Sequence, residues 1–483
     1  MDGPAARPTS MDAFLVAPRV APPLDPAFRP AVLSRRALAE AVRKSGRAIV
    51  CAIAVEQPGA AVCTADVLLF PDNHPLAAAS RAICERVVKS VLWSCGGTRV
   101  WVDGPPQLVE ELRRHYVENA TGRWDAQMMG DAIYGQAFEV TAAPRSRFPV
   151  SRATTAELGR HFEGCRIGFD LGASDRKTAA VIDGEVVFSE EIPWDPSRHE
   201  DPLWHYDQIM NSLRRAAEHL PRVDAIGGSA AGVYVDSQIR VASLFRAVPP
   251  EAFKQHVPGL FSAMKRAWGD IPFVVVNDGE VTALAGAMAG EVGGLLGIAM
   301  GSSLAAGYVT REGRLTSWLN ELAFAPLDYA AAAPVDEWSG DHGCGAQYLS
   351  QQAVGRLLAP AGIEADPALS LPEQLVQLQE LMAAGDERAA RVYETIGTYL
   401  GYALLGYRDL YDFDNALVLG RVVTGIGGNI VLARAQEVLA SDDAADPAAA
   451  VSRQTTITFH TVSERDKRHG QAVAAASLPA LEP

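Results

Sequence analysis

The sequence predicts an α/β protein built from several units, and three observations predict it. The chain has 483 residues, and roughly 150 residues per domain suggests about three. Apolar residues make up 48% and charged residues 21%, the balance of a folded globular chain rather than a disordered one. Short apolar runs bounded by turn residues alternate with segments of helical spacing, the pattern of parallel sheets covered by helices.

The elements follow in order. Residues 1–30 carry seven prolines. Few residues there can build a helix or a ladder, so a mobile or extended Pro-rich arm is expected. Residues 31–155 read as an N-terminal α/β domain with no recognisable chemistry. Helical spacing covers 31–44, 75–93 and 107–116, and strands are expected at 48–55, 66–70 and 99–102. The rhythm changes near Cys165. Strands are expected at 166–171, 179–182, 186–188, 223–226, 272–276, 295–300, 306–310, 416–419 and 456–462. Asp183-Gly184 between two of them is a hairpin signal. Helices are expected at 207–219, 281–289 and 467–477, with a long helical stretch from 347 to 409 broken once near 360–372. Residues 440–450 read as a surface loop.

Composition excludes some functions. Forty-three Lys plus Arg against 58 Asp plus Glu give −15. That balance argues against a nucleic-acid partner and against an anionic membrane surface. Helix 34–44 resembles the first helix of a helix-turn-helix, but no basic recognition helix follows it. No apolar run approaches the roughly 18 residues of a membrane span. Residues 1–10 lack the apolar core of a secretory signal, so a cytoplasmic protein is expected. The six cysteines (51, 63, 84, 95, 165 and 344) include no C-x-x-C pair and are expected to be buried thiols rather than disulfides.

Ligands of α/β sheets collect at the carboxyl ends of strands. Those ends carry Asp170-Leu-Gly172-Ala-Ser174, Gly227-Gly228-Ser229-Ala-Ala-Gly232, Asn277-Asp278, Gly301-Ser302-Ser303, and Gly420 followed by Gly427-Gly428. Two acids beside small-residue bends suit phosphoryl transfer. Backbone N–H groups can cradle a triphosphate only where side chains are small. One acid must orient Mg²⁺, usually through water, and another must accept the proton of an attacking hydroxyl. Asp170 suits the metal task and Asp278 the base. No Walker A motif occurs.

The order and spacing of these segments, over about 165–477, resemble the ROK family of bacterial sugar kinases and regulators in the actin/hexokinase/Hsp70 ATPase superfamily. The resemblance implies two actin-like, ribonuclease H-like lobes around a nucleotide cleft: 165–290 plus 465–477, and 291–462. It implies ATP and Mg²⁺ as cofactors, a sugar or polyol substrate, and a homodimer. Gly172, Ser174, Gly301, Ser302, Ser303, Gly420, Gly427 and Gly428 would hold the nucleotide. Asn277, Glu321, Ser229 and Gly232 would face the acceptor.

The chain also departs from that pattern. Ala173, Ser303, Ala305 and Ala306 stand where the family prefers Gly, Arg421 replaces another Gly, and Ala346 replaces a sugar-contacting Glu. Phe324 takes the place of a zinc-binding His, and 337–344 keeps one Cys. One Cys and one His cannot close a tetrahedral site, so no zinc is expected. Blander readings stay open: Asp278 as a helix cap, Gly301–Ser303 as a plain turn, Gly425–Asn429 as a helix start, and Trp318, Trp338 and Phe324 as packing residues. A non-catalytic sugar- or nucleotide-binding sensor of the same fold is the alternative function.

Overall fold

The computed structural model describes residues 11–59, 61–150, 158–172, 174–366, 368–445, 457–460 and 464–481. The described part of the Pro-rich arm is extended but docked rather than mobile. Phe14, Val20 and Phe28 are buried. The Phe28 ring packs 4.8 Å from Tyr399 and 5.6 Å from Tyr348, and Asp25 accepts from the Tyr399 hydroxyl. Proline keeps the backbone extended, while the aromatic anchors fix its path.

Next come α1 (Ala31–Lys44), β1 (Ile49–Glu56), β2 (Val62–Leu69), α2 (Ala77–Cys95), β3 (Arg99–Asp103), α3 (Pro106–Glu118), α4 (Ala120–Gln127) and β4 (Glu139–Ala142). The strands form one sheet in the order β2-β1-β3-β4. Its core is continuous with that of residues 296–457. A disulfide joins Cys63 in β2 to Cys95 at the end of α2. This corrects the expectation of free thiols for that pair. A separation of 32 residues leaves no local signature, because only the packing of α2 along β2 brings the two together. Cys51, Cys84, Cys165 and Cys344 are buried thiols.

The first lobe contains β5 (Cys165–Leu171), β6 (Asp175–Ile182), β7 (Glu185–Pro193), α5 (Pro202–Ala217), β8 (Ala225–Ala230), β9 (Val233–Val235), β10 (Gln238–Val241), α6 (Pro250–His256), α7 (Leu260–Ala267), β11 (Phe273–Asn277) and α8 (Asp278–Ala289). Its main sheet runs β11-β8-β5-β6-β7, with β5, β8 and β11 parallel. The Asp183-Gly184 hairpin forms as expected, with both residues at positive φ. The strand predicted at 223–226 runs on to Ala230, so Gly227 and Gly228 are strand residues and not a turn. A Cβ at Gly227 would overlap the Ala475 carbonyl, and one at Gly228 would overlap the Phe169 ring. These glycines let other groups press onto both faces of β8.

The second lobe contains β12 (Leu295–Met300), β13 (Leu304–Val309), α9 (Gln351–Leu358), α10 (Leu371–Ala383), α11 (Glu387–Tyr407), β14 (Asn415–Leu419), α12 (Gly425–Ala445) and β15 (Thr458–His460). Its sheet runs β13-β12-β14-β15. The stretch 347–409 breaks twice rather than once. The second break falls at Gly385 in the left-handed region and at Asp386, whose side chain caps α11. Residues 440–445 continue α12 instead of forming a loop; 446–450 lie outside the described residues. The last helix, α13 (Glu464–Ala476), packs on the first lobe's sheet against β5, β6 and β8. Among the described residues no helix is long and apolar enough to cross a membrane.

Candidate active site between the lobes

Parallel strands β5, β8 and β11 deliver their last residues to one place. Their register sets Asp170 beside Ser229 and Asn277 beside Ala230. Asp170 is 5% exposed. The Ser229 hydroxyl donates to its Oδ1 at 2.6 Å. The Lys177 ammonium stands 3.7 Å from its Oδ2 and 3.2 Å from Asp175 Oδ1. Burial raises the Asp170 pKa, and Ser229 and Lys177 work against the rise. Burial alone would lower the Lys177 pKa, but Asp170 and Asp175 outweigh it and hold the value up.

Asn277, not Asp278, caps α8. Its Oδ1 accepts from Gly279 N–H at 2.7 Å, and its Nδ2 donates to the Gly232 carbonyl at 2.6 Å. Asp278 occupies the first turn, where the helix dipole favours a carboxylate. Burial first, and then the charge on Asp170, push its pKa to about 6. Two residues beyond, Glu280 is pushed to about 8 by burial. Glu321 also reaches about 8, through burial and the charge on Asp278. Both shifts favour the protonated form, in which a carboxyl group can donate a hydrogen bond.

The N-terminal unit holds the segment that bears Glu321. The N–H groups of Leu319, Asn320 and Glu321 donate to the carbonyls of Cys95, Ser94 and Trp93 at 3.1, 2.8 and 3.0 Å. These carbonyls end α2, where helix carbonyls have no partner of their own. Buried Gln57 closes the junction. Its Nε2 donates to the carbonyls of Cys95 and Ser317, and its Oε1 accepts from the Ser317 hydroxyl at 3.2 Å. Asn320 then donates to Glu280 Oε1 at 3.4 Å. Gln57→Ala would leave two buried carbonyls without that donor, at a cost of about 1–3 kcal/mol. Urea denaturation should show that loss.

A recess of about 410 Å³ lies beside Asn277 and Glu280, walled by Gln57, Tyr134, Tyr234 and Trp318 among others. Its size suits a small molecule, within the ~300–1,000 Å³ of ligand pockets.

The predicted site residues divide into three groups. Asp170, Asp278 and Glu321 share one electrostatic neighbourhood. Ser229, Asn277 and Gly232 belong to its frame. Ser229 is fully buried with its proton on Asp170, and Asn277 and Gly232 are bonded to each other. Asn277 and Gly232 also line the recess of about 410 Å³. The third group is the bends. Gly172 closes the β5–β6 turn through its N–H to the Asp175 carbonyl at 2.9 Å, and Ser174 is exposed with its hydroxyl on Asp175. At Gly301 a Cβ would meet nothing nearer than 3.7 Å, so packing does not require glycine there. Ser302 and Ser303 are exposed. Gly420, at positive φ, lies against the Met300 backbone at the end of the neighbouring strand. Gly427 and Gly428 are buried in α12, where a Cβ would overlap the Tyr393 ring or the Val423 carbonyl.

Sequence reasoning missed Lys177, Glu280 and Asn320. Lys177 reads as one more charge in a polar turn, and Glu280 as a favourable first-turn acid. Asn320 gives a signal only through its left-handed backbone, φ +54°, which sequence does not display. Phe324 packs against Trp93 and Trp124, and Trp318 against Tyr308 and Tyr411. Trp338, in contrast, is 73% exposed and is not a packing residue.

The segment around Cys344 is organised by charge. Asp341 receives Arg86 at 2.6 Å and Lys89 at 2.7 Å, and Lys89 also reaches Asp125 at 3.1 Å. Arg86 and Lys89 lie on α2, so that helix grips the second lobe twice.

No family model matches the chain, and no curated protein matches it. Solved structures do. A ROK hexokinase from Thermus thermophilus aligns at 18% identity and a TM-score of 0.50, over 64% of this chain and 97% of that one. A ROK family transcriptional regulator, a homologue of the E. coli MLC protein, aligns at 18% identity and a TM-score of 0.51, over 66% of this chain and 78% of that one. Over roughly two thirds of its length the chain therefore has the ROK fold, in a divergent form.

Proposed function

We propose that the chain transfers the γ-phosphoryl group of ATP to a hydroxyl of a sugar or sugar-like polyol. The observation that carries this reading is the position of Asp278. It opens α8 directly after parallel strand β11, within reach of the charge on Asp170, and its pKa is pushed to about 6, so at neutral pH it is a carboxylate yet basic enough to take a proton. The acceptor would lie in the recess beside Asn277 and Glu280. Protonated Glu280 and Glu321 would donate to its other oxygens. Asp278 would take the hydroxyl proton as the new O–P bond forms and the bond to the ADP oxygen breaks. Gly301–Ser303 and the Gly172–Ser174 turn would receive the phosphates, and Gly420 would border the nucleoside. Residues 31–155 would serve as a unit that holds 317–321 in place.

Among the described residues, no three His, Cys, Asp or Glu side chains form a ligand set. A single carboxylate still fits Mg²⁺ that arrives on a triphosphate, because this ion keeps much of its water. Asp170 would hold it, with the Lys177 ammonium adding positive charge nearby. When bound, the ion draws charge from the phosphate oxygens.

The test is ADP release with Mg-ATP across a panel of sugars and polyols. One acceptor should raise the rate above the acceptor-free background. The rate should fall about tenfold per pH unit below about 6, as Asp278 takes up its proton. A flat profile between pH 5 and 7 would remove Asp278 from the role of base. The second reading is a ligand-binding regulator. It is favoured by Lys177, which already gives Asp170 a positive partner. Sugar binding with no ADP formed on any acceptor would select it.

A further inference from the structure

A second pocket lies outside the cleft, where α1, β2 and α2 meet the end of α11. It has a volume of about 510 Å³. Five arginines line it: Arg35, Arg36, Arg43, Arg145 and Arg408, against two aspartates, Asp66 and Asp409. The floor is apolar, with Ala39, Leu68 and Leu410 partly exposed to it.

The arginines are not all neutralised by their neighbours. Arg36 Nη1 reaches both oxygens of Asp442 at 2.6 and 2.8 Å, and Arg145 Nη1 both oxygens of Asp66 at 2.8 Å. Arg35 gives one nitrogen to Asp409 at 3.0 Å and to the Gly406 carbonyl at 3.3 Å. Its Nε is buried with no partner among the described residues. Exposed Arg43 has no ion pair with a described residue. A buried N–H of a charged group without an acceptor is costly, and guanidinium groups match the oxygens of a phosphate.

We propose that this pocket binds a small phosphorylated metabolite, with its phosphate on Arg35 and Arg43 and its carbon body on the floor of Ala39, Leu68 and Leu410. The apolar floor favours an organic phosphate over the bare ion. The site joins the N-terminal unit, which holds the Glu321 segment, to the second lobe. An occupant would therefore stabilise that junction. The proposal does not depend on phosphoryl transfer in the cleft.

The experiment is thermal shift and calorimetry on the full chain with glucose 6-phosphate, inorganic phosphate, citrate and glucose. A saturating non-hydrolysable ATP analogue is present throughout to occupy the phosphate loops of the cleft. Glucose 6-phosphate should raise the melting temperature in a concentration-dependent way, and more than inorganic phosphate does; glucose should not act through this site. Arg43→Glu, an exposed change, should lower glucose 6-phosphate affinity at least tenfold and leave binding of the ATP analogue unchanged. Three results would overturn the proposal: no shift with either phosphate, a shift equal in the wild type and Arg43→Glu, or citrate binding in place of phosphate. Salt-sensitive binding of duplex DNA without binding of the small phosphates would also overturn it.

Discussion

Replacing Asp278 with Asn is expected to lower acceptor-dependent turnover by about 10²–10⁴-fold, the usual contribution of a positioned base. The substitution keeps the shape of the side chain and its place in the first turn of α8. It removes the carboxylate charge and the capacity to take a proton. Capping is retained, since Asn277 Oδ1 accepts from Gly279 N–H at 2.7 Å, and the second acceptor of that N–H, Asp278 Oδ1 at 3.0 Å, is replaced by an amide oxygen. The folded state should even gain slightly, because a charge that is costly to bury disappears. The sign of the pH effect agrees. The folded pKa of Asp278 is raised to about 6, above the ~3.9 of an unfolded aspartate. Ionisation between those values favours the unfolded chain, so Asp278→Asn should relieve a penalty at neutral pH. Steady-state kinetics with guanidinium unfolding on the same sample checks both statements. A variant that loses activity and stability together would point to misfolding instead of a missing base.

Lys89→Met is expected to destabilise the protein by about 3–5 kcal/mol, the cost of leaving buried charges without their partner. Lys89 and Asp125 are both fully buried, and Lys89 also serves Asp341. Burial works to lower the Lys89 pKa, but Asp125 and Asp341 outweigh it and push the value up to about 12. That contribution is fully present below the unfolded lysine value, ~10.4, and is lost as pH rises through about 12. Asp341 gives the opposite limb. Burial opposes its ionisation, yet Arg86 and Lys89 hold its pKa well below the usual range. Its contribution is present above ~3.9 and fades as pH falls towards the depressed value. Guanidinium denaturation of Lys89→Met and of Lys89→Met/Asp125→Leu provides the check. The double variant should recover part of the loss, because it no longer buries the Asp125 charge.

The sequence displayed the carboxyl ends of the strands well, for a physical reason. β5, β11, β12 and β14 are apolar runs that end in polar or small residues, so their boundaries fall within about a residue of expectation. Asp170 and Asp278, 108 positions apart, could be paired only because parallel strands release their ligand-facing residues at one edge. Glycine was the ambiguous letter. Gly227, Gly228, Gly427 and Gly428 read as ligand-facing bends, and at each of them a carbonyl or an aromatic ring also leaves no room for a Cβ. Nothing local separates the two causes. Long-range ties were invisible for the same reason: the disulfide, the Gln57 junction and the Lys89 charge network join residues of the N-terminal unit to partners made close only by the finished fold. The Pro-rich arm showed its conformation through proline but not its docking, which depends on Tyr348 and Tyr399 more than 300 residues away.

Phosphorus NMR of the protein mixed with Mg-ATP and a panel of sugars and polyols tests the central claim most directly. Phosphoryl transfer predicts a new phosphomonoester resonance that grows in step with ADP, needs one acceptor, and is absent in Asp278→Asn. An ATP spectrum that stays unchanged with every acceptor, or that yields orthophosphate alone, would contradict the claim.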